Sequence, residues 1–397
     1  MTVSQGKPKT VYLDHNATTP VAAEVTAAML DCLRDGYGNP SSAYPLGRQA
    51  AGHVAAARRS VAKLIGADED EIVFTGCATE ANNLALLGVA AAYPAERRHL
   101  VVSAIEHPAV AEPARHLQAQ GWDVTVVPVD GHGRIDPAAV AATLRPDTAL
   151  VSIMLANNEV GTVQPIAEIA AAIASMGRAR DILLHSDAAQ AVGKIPVNVD
   201  ALGVDLLTIA GHKFQASKGV GALYLRRGTP LRPILFGAGH EHGLRPGTEN
   251  VPAIAGLGAA ADLALRRLAG GDGPLRERRD QLHELLRAAI PGVRLNGHPE
   301  ARLPNTLNIS FPDASGRAVL MAAGDAVAAS VGAACHADDV APSGVLGAMG
   351  LDPARAAGAV RLSTGWGTTV PDIETAAEAL IRAWLSVKSA TNAADRA

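Results

Sequence analysis

The sequence predicts an α/β fold with a mostly parallel sheet wrapped by helices, and a second, smaller domain. From Glu71 to Tyr224, short apolar segments alternate with alanine-rich segments of helical length, an order typical of parallel sheets covered by helices. At 397 residues the chain exceeds what one small core requires, which favours a large and a small domain. A content of 48% hydrophobic and 19% charged residues is that of a soluble globular protein.

The elements before this alternation follow from apolar spacing and from turn residues. Residues 1 to 10 are polar and are expected to be disordered. The segments that follow are an extended stretch from Thr10 to Leu13, a helix from Pro20 to Arg34, a loop from Gly36 to Ser42, and a helix from Leu46 to Leu64 that ends at Gly66.

Seven short apolar segments are predicted to form the sheet. They are Ile72 to Phe74, Leu100 to Ser103, Val124 to Pro128, Ala149 to Met154, Ile182 to His185, Leu206 to Ile209 and Gly221 to Leu225. Gly270 to Pro274 then breaks the composition and is expected to join two helices. The remaining predicted elements are a helix from Leu275 to Ala289, a strand from Leu307 to Phe311 and a helix from Asp372 to Val387.

A lysine follows one of these strands directly, at Gly211-His212-Lys213. Desolvation at the exit of a buried strand lowers the pKa of a lysine and allows its amine to form a Schiff base with a carbonyl. The alternative is a lysine that caps a loop. With seven lysines against 28 arginines, few other positions compete for that chemistry.

A second strand, Ile182 to His185, runs into Ser186 and Asp187, and Asp187 lies 26 positions before Lys213 (213 − 187). Two strands of a parallel sheet can deliver the carboxylate and the amine to one edge. A pyridoxal phosphate (PLP) site requires that pair, since the lysine holds the aldehyde and the aspartate keeps the pyridine nitrogen protonated.

Nine segments together resemble the cysteine desulfurase and selenocysteine lyase family of PLP enzymes. They are YLDHNATTP, GNPSS, IEHPAV, NNEVGTVQPI, HSDAAQAVGK, GHKFQASKGVGALY, RPGTENV, VGAACHAD and VRLSTG. The match runs in order from about Val11 to about Leu380. It implies PLP-dependent transferase fold type I, the aspartate-aminotransferase-like fold, with a large domain over 20–262. Residues 1–19 and 263–397 would form a smaller α+β domain that carries a catalytic-cysteine loop.

The resemblance assigns phosphate contacts to Ala78, Thr79 and His212. Ala78 and Thr79 follow a strand and open a helix at Glu80, where backbone amides can bind phosphate, although an ordinary strand-to-helix turn has the same pattern. Ala210 departs from the family, in which many members have a serine, so one hydroxyl donor is expected to be missing.

The resemblance also assigns contacts to the ring and the substrate. His107, which is otherwise a loop histidine, would stack on the ring and relay protons, and Gln190 would donate to the phenolic oxygen. Asn158 would contact the phenolic side and the substrate. Arg361, although an isolated arginine is usually a surface charge, would bind the substrate carboxylate with Asn39 beside it.

Three cysteines far apart in the sequence argue against a disulfide framework and for reduced thiols. Small residues, polar residues and a proline around Cys335 predict an exposed loop, whereas Cys32 and Cys77 are assigned to buried positions. Cys335 is the candidate nucleophile, and the neighbouring His336 would favour its thiolate.

The segment from His240 to Thr248 contains two histidines at i and i+2, which lack the i, i+4 spacing of a helical zinc site. No metal site is therefore expected. By resemblance this segment lies at the interface of an obligate homodimer, with Thr248 reaching the phosphate of the partner subunit.

A net charge of −4 gives no general electrostatic basis for binding nucleic acid. The first residues lack the apolar stretch of a secretory signal, and no run reaches the length of a membrane helix. The expected location is the cytoplasm, with no membrane contact.

The resemblance implies a cysteine desulfurase that converts L-cysteine to L-alanine, keeps the sulfur on Cys335 as a persulfide, and passes it to an acceptor protein. The alternative is a selenocysteine lyase acting on L-selenocysteine, since GAACH and ANNEVG also resemble that branch. An alternative from another class is an inactive PLP-fold scaffold, against which the retention of Lys213, Asp187, His107, Arg361 and Cys335 argues.

Overall fold

A computed structural model describes residues 10–175, 182–331 and 343–394. The described residues form twelve strands: β1 Val11–Tyr12, β2 Ile72–Thr75, β3 His99–Ser103, β4 Asp123–Val127, β5 Thr148–Ser152, β6 Leu183–Asp187, β7 Leu206–Ala210, β8 Gly221–Leu225, β9 Arg294–Asn296, β10 Thr306–Ser310, β11 Val327–Ala328 and β12 Ala359–Ser363.

The same parts of the chain form thirteen α-helices. These are α1 Ala23–Arg34, α2 Pro45–Ile65, α3 Ala78–Ala92, α4 Pro108–Ala119, α5 Pro137–Thr143, α6 Ile166–Ser175, α7 Val199–Leu202, α8 Val251–Ala269, α9 Gly273–Ala289, α10 Gly316–Ala323, α11 Gly344–Ala348, α12 Pro353–Ala357 and α13 Val370–Ala394.

The central sheet has seven strands in the order β2-β8-β7-β6-β5-β3-β4. Its strand pairs are parallel except for the two that involve β8, which runs antiparallel to both β2 and β7. The seven strands predicted from the sequence are the seven strands of this sheet, and the prediction of an α/β fold with a mostly parallel sheet is confirmed. β3, β5, β6 and β7 are buried along their whole length, which explains their continuous apolar patterns.

Helices α1 and α2 pack against α8 on one side of this sheet. α2 begins with Pro45 at its first position and ends at Gly66, whose φ of 69° gives the left-handed cap that stops the helix. α2 and α8 approach closely where a Cβ on Gly258 would lie 2.6 Å from the Cα of Ala57. A larger residue at position 258 would therefore force the two helices apart.

A second core is built from the carboxyl-terminal part of the chain and from β1. In a three-stranded antiparallel sheet, β10 lies between β12 and β9, while β1 pairs in parallel with β11. Val11 and Leu13 are buried in one cluster with Leu282, Leu380 and Trp384, so the amino-terminal strand packs among residues from the other end of the chain.

Differences from the predicted elements have local causes. β9, β11 and β12 were not predicted, because the first two have only three and two residues and β12 contains an arginine within its apolar run. Of the predicted loop at Gly270 to Pro274, residues 270–272 lie between α8 and α9, while Gly273 and Pro274 are the first two residues of α9. α13 is longer than predicted at both ends. In the described ranges, no helix combines the length and the apolar character needed to cross a membrane.

Candidate active site

A cavity of about 310 Å³, here called the main cavity, opens where strands of the central sheet end. β6 ends at Asp187 and β7 at Ala210, and the segments that follow β3 and β5 contribute Glu106 and Met154. Ligands in open α/β sheets bind at this edge. Nine of the residues predicted for the site line the main cavity: Ala78, Thr79, His107, Asn158, Asp187, Gln190, His212, Lys213 and Arg361.

Lys213 reaches the main cavity because β7 is followed at once by a 3₁₀ turn over Gly211–Lys213. Its Nζ donates to the main-chain oxygen of Asn16 at 2.6 Å and to that of Ala17 at 2.9 Å. Both acceptors belong to the segment that follows β1. This segment therefore forms one wall of the cavity and positions the amine.

Asp187 is 5% exposed and is held by two donors. Asn82 Nδ2 donates to Oδ2 at 2.7 Å, and the backbone N–H of Ala189 donates to Oδ1 at 2.9 Å. The strand, the helix α3 and the following turn thus fix one carboxylate in the cavity that also contains Lys213.

Glu106 supplies a second carboxyl group to the main cavity. Its pKa is raised to about 8, mainly by burial; hydrogen bonds from Ser103 and Met154 oppose the shift, and the charge of Asp187 adds to it. Ser103 Oγ and the Met154 N–H donate to Oε1, at 2.5 and 2.9 Å, while Oε2 is buried without a partner among the described residues. Near neutral pH Glu106 is therefore mainly a neutral acid.

His107 precedes α4, and its Nδ1 accepts a hydrogen bond of 3.1 Å from the backbone N–H of Ala109. A neutral ring that accepts at Nδ1 carries its proton on Nε2. Burial is the main cause that lowers the pKa of His107; the charge of Lys213 lowers it as well, and that of Asp187 opposes the shift.

The start of α3 forms a possible phosphate cradle. Cys77 precedes the helix without capping it by a side-chain hydrogen bond in the described structure, which leaves the first amides of the helix available to an anion. β8 passes directly beneath, since a Cβ on Gly221 would lie 2.7 Å from the oxygen of Ile209 and 2.9 Å from the carbonyl carbon of Cys77.

His212 lies beside this cradle and is held by the amino-terminal segment. Its Nδ1 is 3.1 Å from Thr18 Oγ1. Burial, followed by the charges of Lys213, Lys218 and Lys194, lowers its pKa to about 4, so the ring is neutral near pH 7.

Arg361 projects from β12 and is 3% exposed. Its Nη2 donates to Asp14 Oδ1 at 2.7 Å and its Nη1 to the main-chain oxygen of Asn158 at 3.0 Å. Its buried Nε has no hydrogen-bond partner within the described ranges. The guanidinium therefore joins β12, the amino-terminal segment and the loop after β5 at the cavity.

Not all predicted residues meet there. Asn39 and Thr248 line a second groove, together with Leu33 and Tyr37, and Asn39 does not line the main cavity within one chain. The loop between α1 and α2 lies against the segment before α8, so Asn39 is not brought beside Arg361 by the fold of a single chain.

The assignment of Cys77 to a buried position was wrong. Cys32 is buried, but Cys77 is exposed and lines the main cavity, because it occupies the turn between β2 and α3. Cys335 and His336 lie outside the described residues.

Four polar residues of this region were not identified from the sequence, namely Asn16, Glu106, Glu159 and Lys194. Asn16, Glu106 and Glu159 line the main cavity, and Lys194 is buried beside it. Each lies within one to four positions of an identified residue or inside a motif that carried the family resemblance, and that proximity was the available signal.

The residues present fit PLP. A lysine amine, a carboxylate held by two donors and an uncapped helix start meet in one cavity of suitable size. No cluster of three or more His, Cys, Asp or Glu side chains suited to a metal occurs in the part of the chain that the structure describes. In the segment from His240 to Thr248, Glu241 lies between the two histidines. Its carboxylate accepts hydrogen bonds from Arg58 and from the backbone N–H of Phe74.

Comparisons with known proteins agree with this geometry. The model of the aminotransferase class-V family matches residues 11–375. A cysteine desulfurase of Trichormus azollae is 46% identical over 371 residues, which cover 93% of this chain and 92% of that protein.

Among solved structures, a NifS-like protein has a TM-score of 0.88 and 37% identity, with 94% of this chain and 98% of that chain covered. A structure described as SspA in complex with cysteine has a TM-score of 0.79 and 35% identity, with 89% and 98% covered.

Proposed function

Because the chain belongs to the class-V aminotransferase family, we propose that it is a PLP-dependent cysteine desulfurase, which converts L-cysteine to L-alanine and keeps the sulfur for transfer. One observation carries the proposal: Lys213, Asp187 and Arg361 line a single cavity, in a chain 46% identical to a cysteine desulfurase. The relative crystallised with cysteine supports the choice of substrate.

The residues that would hold PLP are those of the main cavity. Lys213 is the point of covalent attachment, Asp187 the partner of the pyridine nitrogen, and His107 the residue that stacks on the ring. Gln190 and Asn158 contact the phenolic side, while Ala78, Thr79 and His212 bind the phosphate. When bound, PLP supplies an electron sink for the pair left at Cα once its proton is removed.

Arg361 binds the carboxylate of the substrate cysteine. Its Nη1 now donates to a neutral main-chain oxygen, and a carboxylate is a stronger acceptor for a guanidinium. Lys213 Nζ takes the Cα proton and returns a proton when alanine forms, and His107 relays protons through its Nε2. A neutral His107 suits this role, since burial favours its uncharged form.

Cys335 is the sulfur acceptor within the enzyme. Its thiolate attacks the sulfur of the substrate and forms an S–S bond, while the Cβ–S bond breaks with its electron pair on carbon. Protonation of that carbon gives the methyl group of alanine, and Cys335 keeps the sulfur as a persulfide. An acceptor protein then takes the sulfur from Cys335.

The enzyme acts as a homodimer. The groove with Asn39 and Thr248 is exposed and is flanked by Tyr37 and Leu33, which are 69% and 59% exposed. A partner subunit on this groove would cover both apolar side chains. Thr248 would then reach the PLP phosphate in the partner subunit, and Asn39 would contact substrate.

The test compares alanine release from cysteine and from selenocysteine, with mass spectrometry of the Cys335 peptide afterwards. We expect wild-type protein to release alanine from cysteine and to gain the mass of one sulfur atom on that peptide. Cys335→Ser should retain PLP and lose at least about 10²-fold in desulfuration, because a hydroxyl is a far poorer nucleophile than a thiolate.

Cys32→Ser is the thiol control, since Cys32 is buried and lines the groove with Asn39 and Thr248 rather than the main cavity, and it should still gain sulfur on Cys335. A sulfur gain confined to Cys32 or Cys77 would overturn the mechanism. Activity on selenocysteine alone, independent of Cys335, would indicate a selenocysteine lyase, and no turnover of either substrate with PLP bound would indicate a scaffold.

A further inference from the structure

Lys194 is a buried lysine that lies behind the main cavity. It is 4% exposed, and its Nζ donates to Gln190 Oε1 at 2.6 Å and to Asn16 Oδ1 at 3.0 Å. Burial, together with the charges of Lys213 and Arg361, lowers its pKa well below that of a free lysine. Two amide oxygens thus accept hydrogen bonds from this amine.

The orientation of the Gln190 side chain follows from its neighbours. Gln190 Nε2 donates to the main-chain oxygen of Asn16 at 2.9 Å, and a carbonyl oxygen can only accept. The nitrogen of the amide must therefore face Asn16 and the cavity, while its oxygen faces Lys194. Asn16 thus holds the nitrogen end of the amide, and Lys194 holds the oxygen end.

The two ends of the Gln190 amide have different surroundings. Gln190 lines the main cavity and Lys194 does not. Gln190 Nε2 carries two hydrogens, so it can donate to Asn16 and to an oxygen of a ligand in the cavity at the same time. The other end of the amide, Oε1, accepts from Lys194, and this bond fixes which end of the amide faces the cavity.

Lys194 also acts on the second amide of the network. Asn16 Oδ1 accepts from both Lys194 and Asn305 Nδ2, each at 3.0 Å, and the main-chain oxygen of Asn16 accepts from Lys213. The contacts of Lys194 thus converge on the residue that positions the Lys213 amine.

We propose that Lys194 is a positioning residue for the cofactor. It holds the Gln190 amide so that Nε2 donates to the phenolic oxygen of PLP. The inference rests on the proposed function, in that it takes PLP to occupy the main cavity. Lys194 does not touch the cofactor and acts through Gln190.

The test uses full-length protein loaded with PLP, as wild type, Lys194→Met, Gln190→Ala and the double variant. The readouts are the midpoint of the pH titration of the visible absorbance and the Kd for PLP. Loss of a donor makes the phenolic oxygen of PLP a better proton acceptor. Each single variant should therefore raise the midpoint of the pH titration by about one pH unit. The Kd for PLP should rise about tenfold, as expected for one lost hydrogen bond.

The double variant should show the same shift as either single variant, because both changes remove one contact. Lys63→Met, at an exposed position of α2, is the control and should titrate as wild type. A role in stability alone would lower the unfolding temperature of Lys194→Met and leave its midpoint at the wild-type value, which would overturn the proposal. Shifts that add in the double variant would overturn it as well.

Lys194→Gln retains an uncharged donor and provides a second test. Its midpoint should lie close to that of wild type, and a shift as large as that of Gln190→Ala would contradict the proposal. If neither Lys194 variant folds, the residue is structural and the proposal fails. Failure of wild-type protein to bind PLP would reject the proposed function itself.

Discussion

His185 and Glu106 are buried ionisable residues whose pKa values move in opposite directions for the same physical reason. His185 hydrogen-bonds with Ser152 and Thr208 inside the sheet, and burial lowers its pKa to about 3. Burial raises the pKa of Glu106 to about 8. In both cases the interior favours the uncharged form.

The histidines predict how stability responds to acid. Three buried histidines have lowered pKa values in the folded protein: about 4 for His15, about 3 for His185 and about 4 for His212. Between pH 6.5 and about 4, these side chains are protonated in the unfolded protein but stay neutral in the folded protein. Stability is therefore present above pH 6.5 and decreases as the pH falls through this range, by about 1.4 kcal/mol per pH unit for each such histidine.

From pH 7 to pH 5, the free energy of unfolding should decrease in both proteins. We expect the decrease to be smaller in His185→Asn than in wild type, by about 2 kcal/mol. Urea unfolding at the two pH values measures the difference. The exposed His116 provides the control, and His116→Asn should follow the wild-type curve. An unchanged pH dependence in His185→Asn would show that this histidine is not kept neutral by burial.

Lys213 is predicted to be the point of PLP attachment. Borohydride reduction of loaded wild-type protein, followed by peptide mapping, should find the pyridoxyl group on Lys213. Lys213→Ala should lose at least about 10³-fold in turnover, because both the attachment point and the proton carrier are removed. A pyridoxyl group on Lys194 or Lys218 would refute the assignment.

At the scale of elements, the start of α3 depends on β8 beneath it. Gly221→Ala would place a methyl group against Cys77 and Ile209. We expect overpacking to destabilise the protein by about 1–3 kcal/mol and to weaken PLP binding, because the first turn of α3 must shift. Thermal unfolding and a PLP titration measure the two effects.

The control is Gly52→Ala within α2, where an added Cβ meets no atom within 4 Å. This change should stabilise the helix by about 0.5–1 kcal/mol and leave PLP binding unchanged. If Gly221→Ala binds PLP as tightly as wild type, the start of α3 is not the phosphate cradle.

The elements also show what the sequence can and cannot predict. Apolar segments identified all seven strands of the central sheet. The signal is strongest for β3, β5, β6 and β7, which are buried along their whole length, whereas β4 is only partly buried. β12 was missed since its Arg361 interrupts the run, and the burial of that arginine depends on Asp14, 347 residues away. Cys77 was misjudged because its exposure depends on a turn, and the role of Asn16 depends on partners from distant segments.

At the scale of the molecule, the exposed groove with Tyr37 and Thr248 predicts a permanent dimer. Such interfaces bury on the order of 2,000 Å² or more, so sedimentation should find a dimer at nanomolar concentration. Tyr37→Asp should weaken association. The control Met321→Asp, at a position that is 74% exposed outside the groove, should not. A fully active monomer would remove the role proposed for Thr248.

The hydrogen bond from the Asn16 N–H to Ser363 Oγ joins residues 347 positions apart, which has a consequence for biosynthesis. At about 5–20 residues per second, a ribosome needs roughly 20–80 s to make the chain. The central sheet can form during that time, but the wall around Lys213 cannot close until β12 has emerged. We therefore expect nascent chains to acquire PLP only at the end of translation, when the last segment reaches the first.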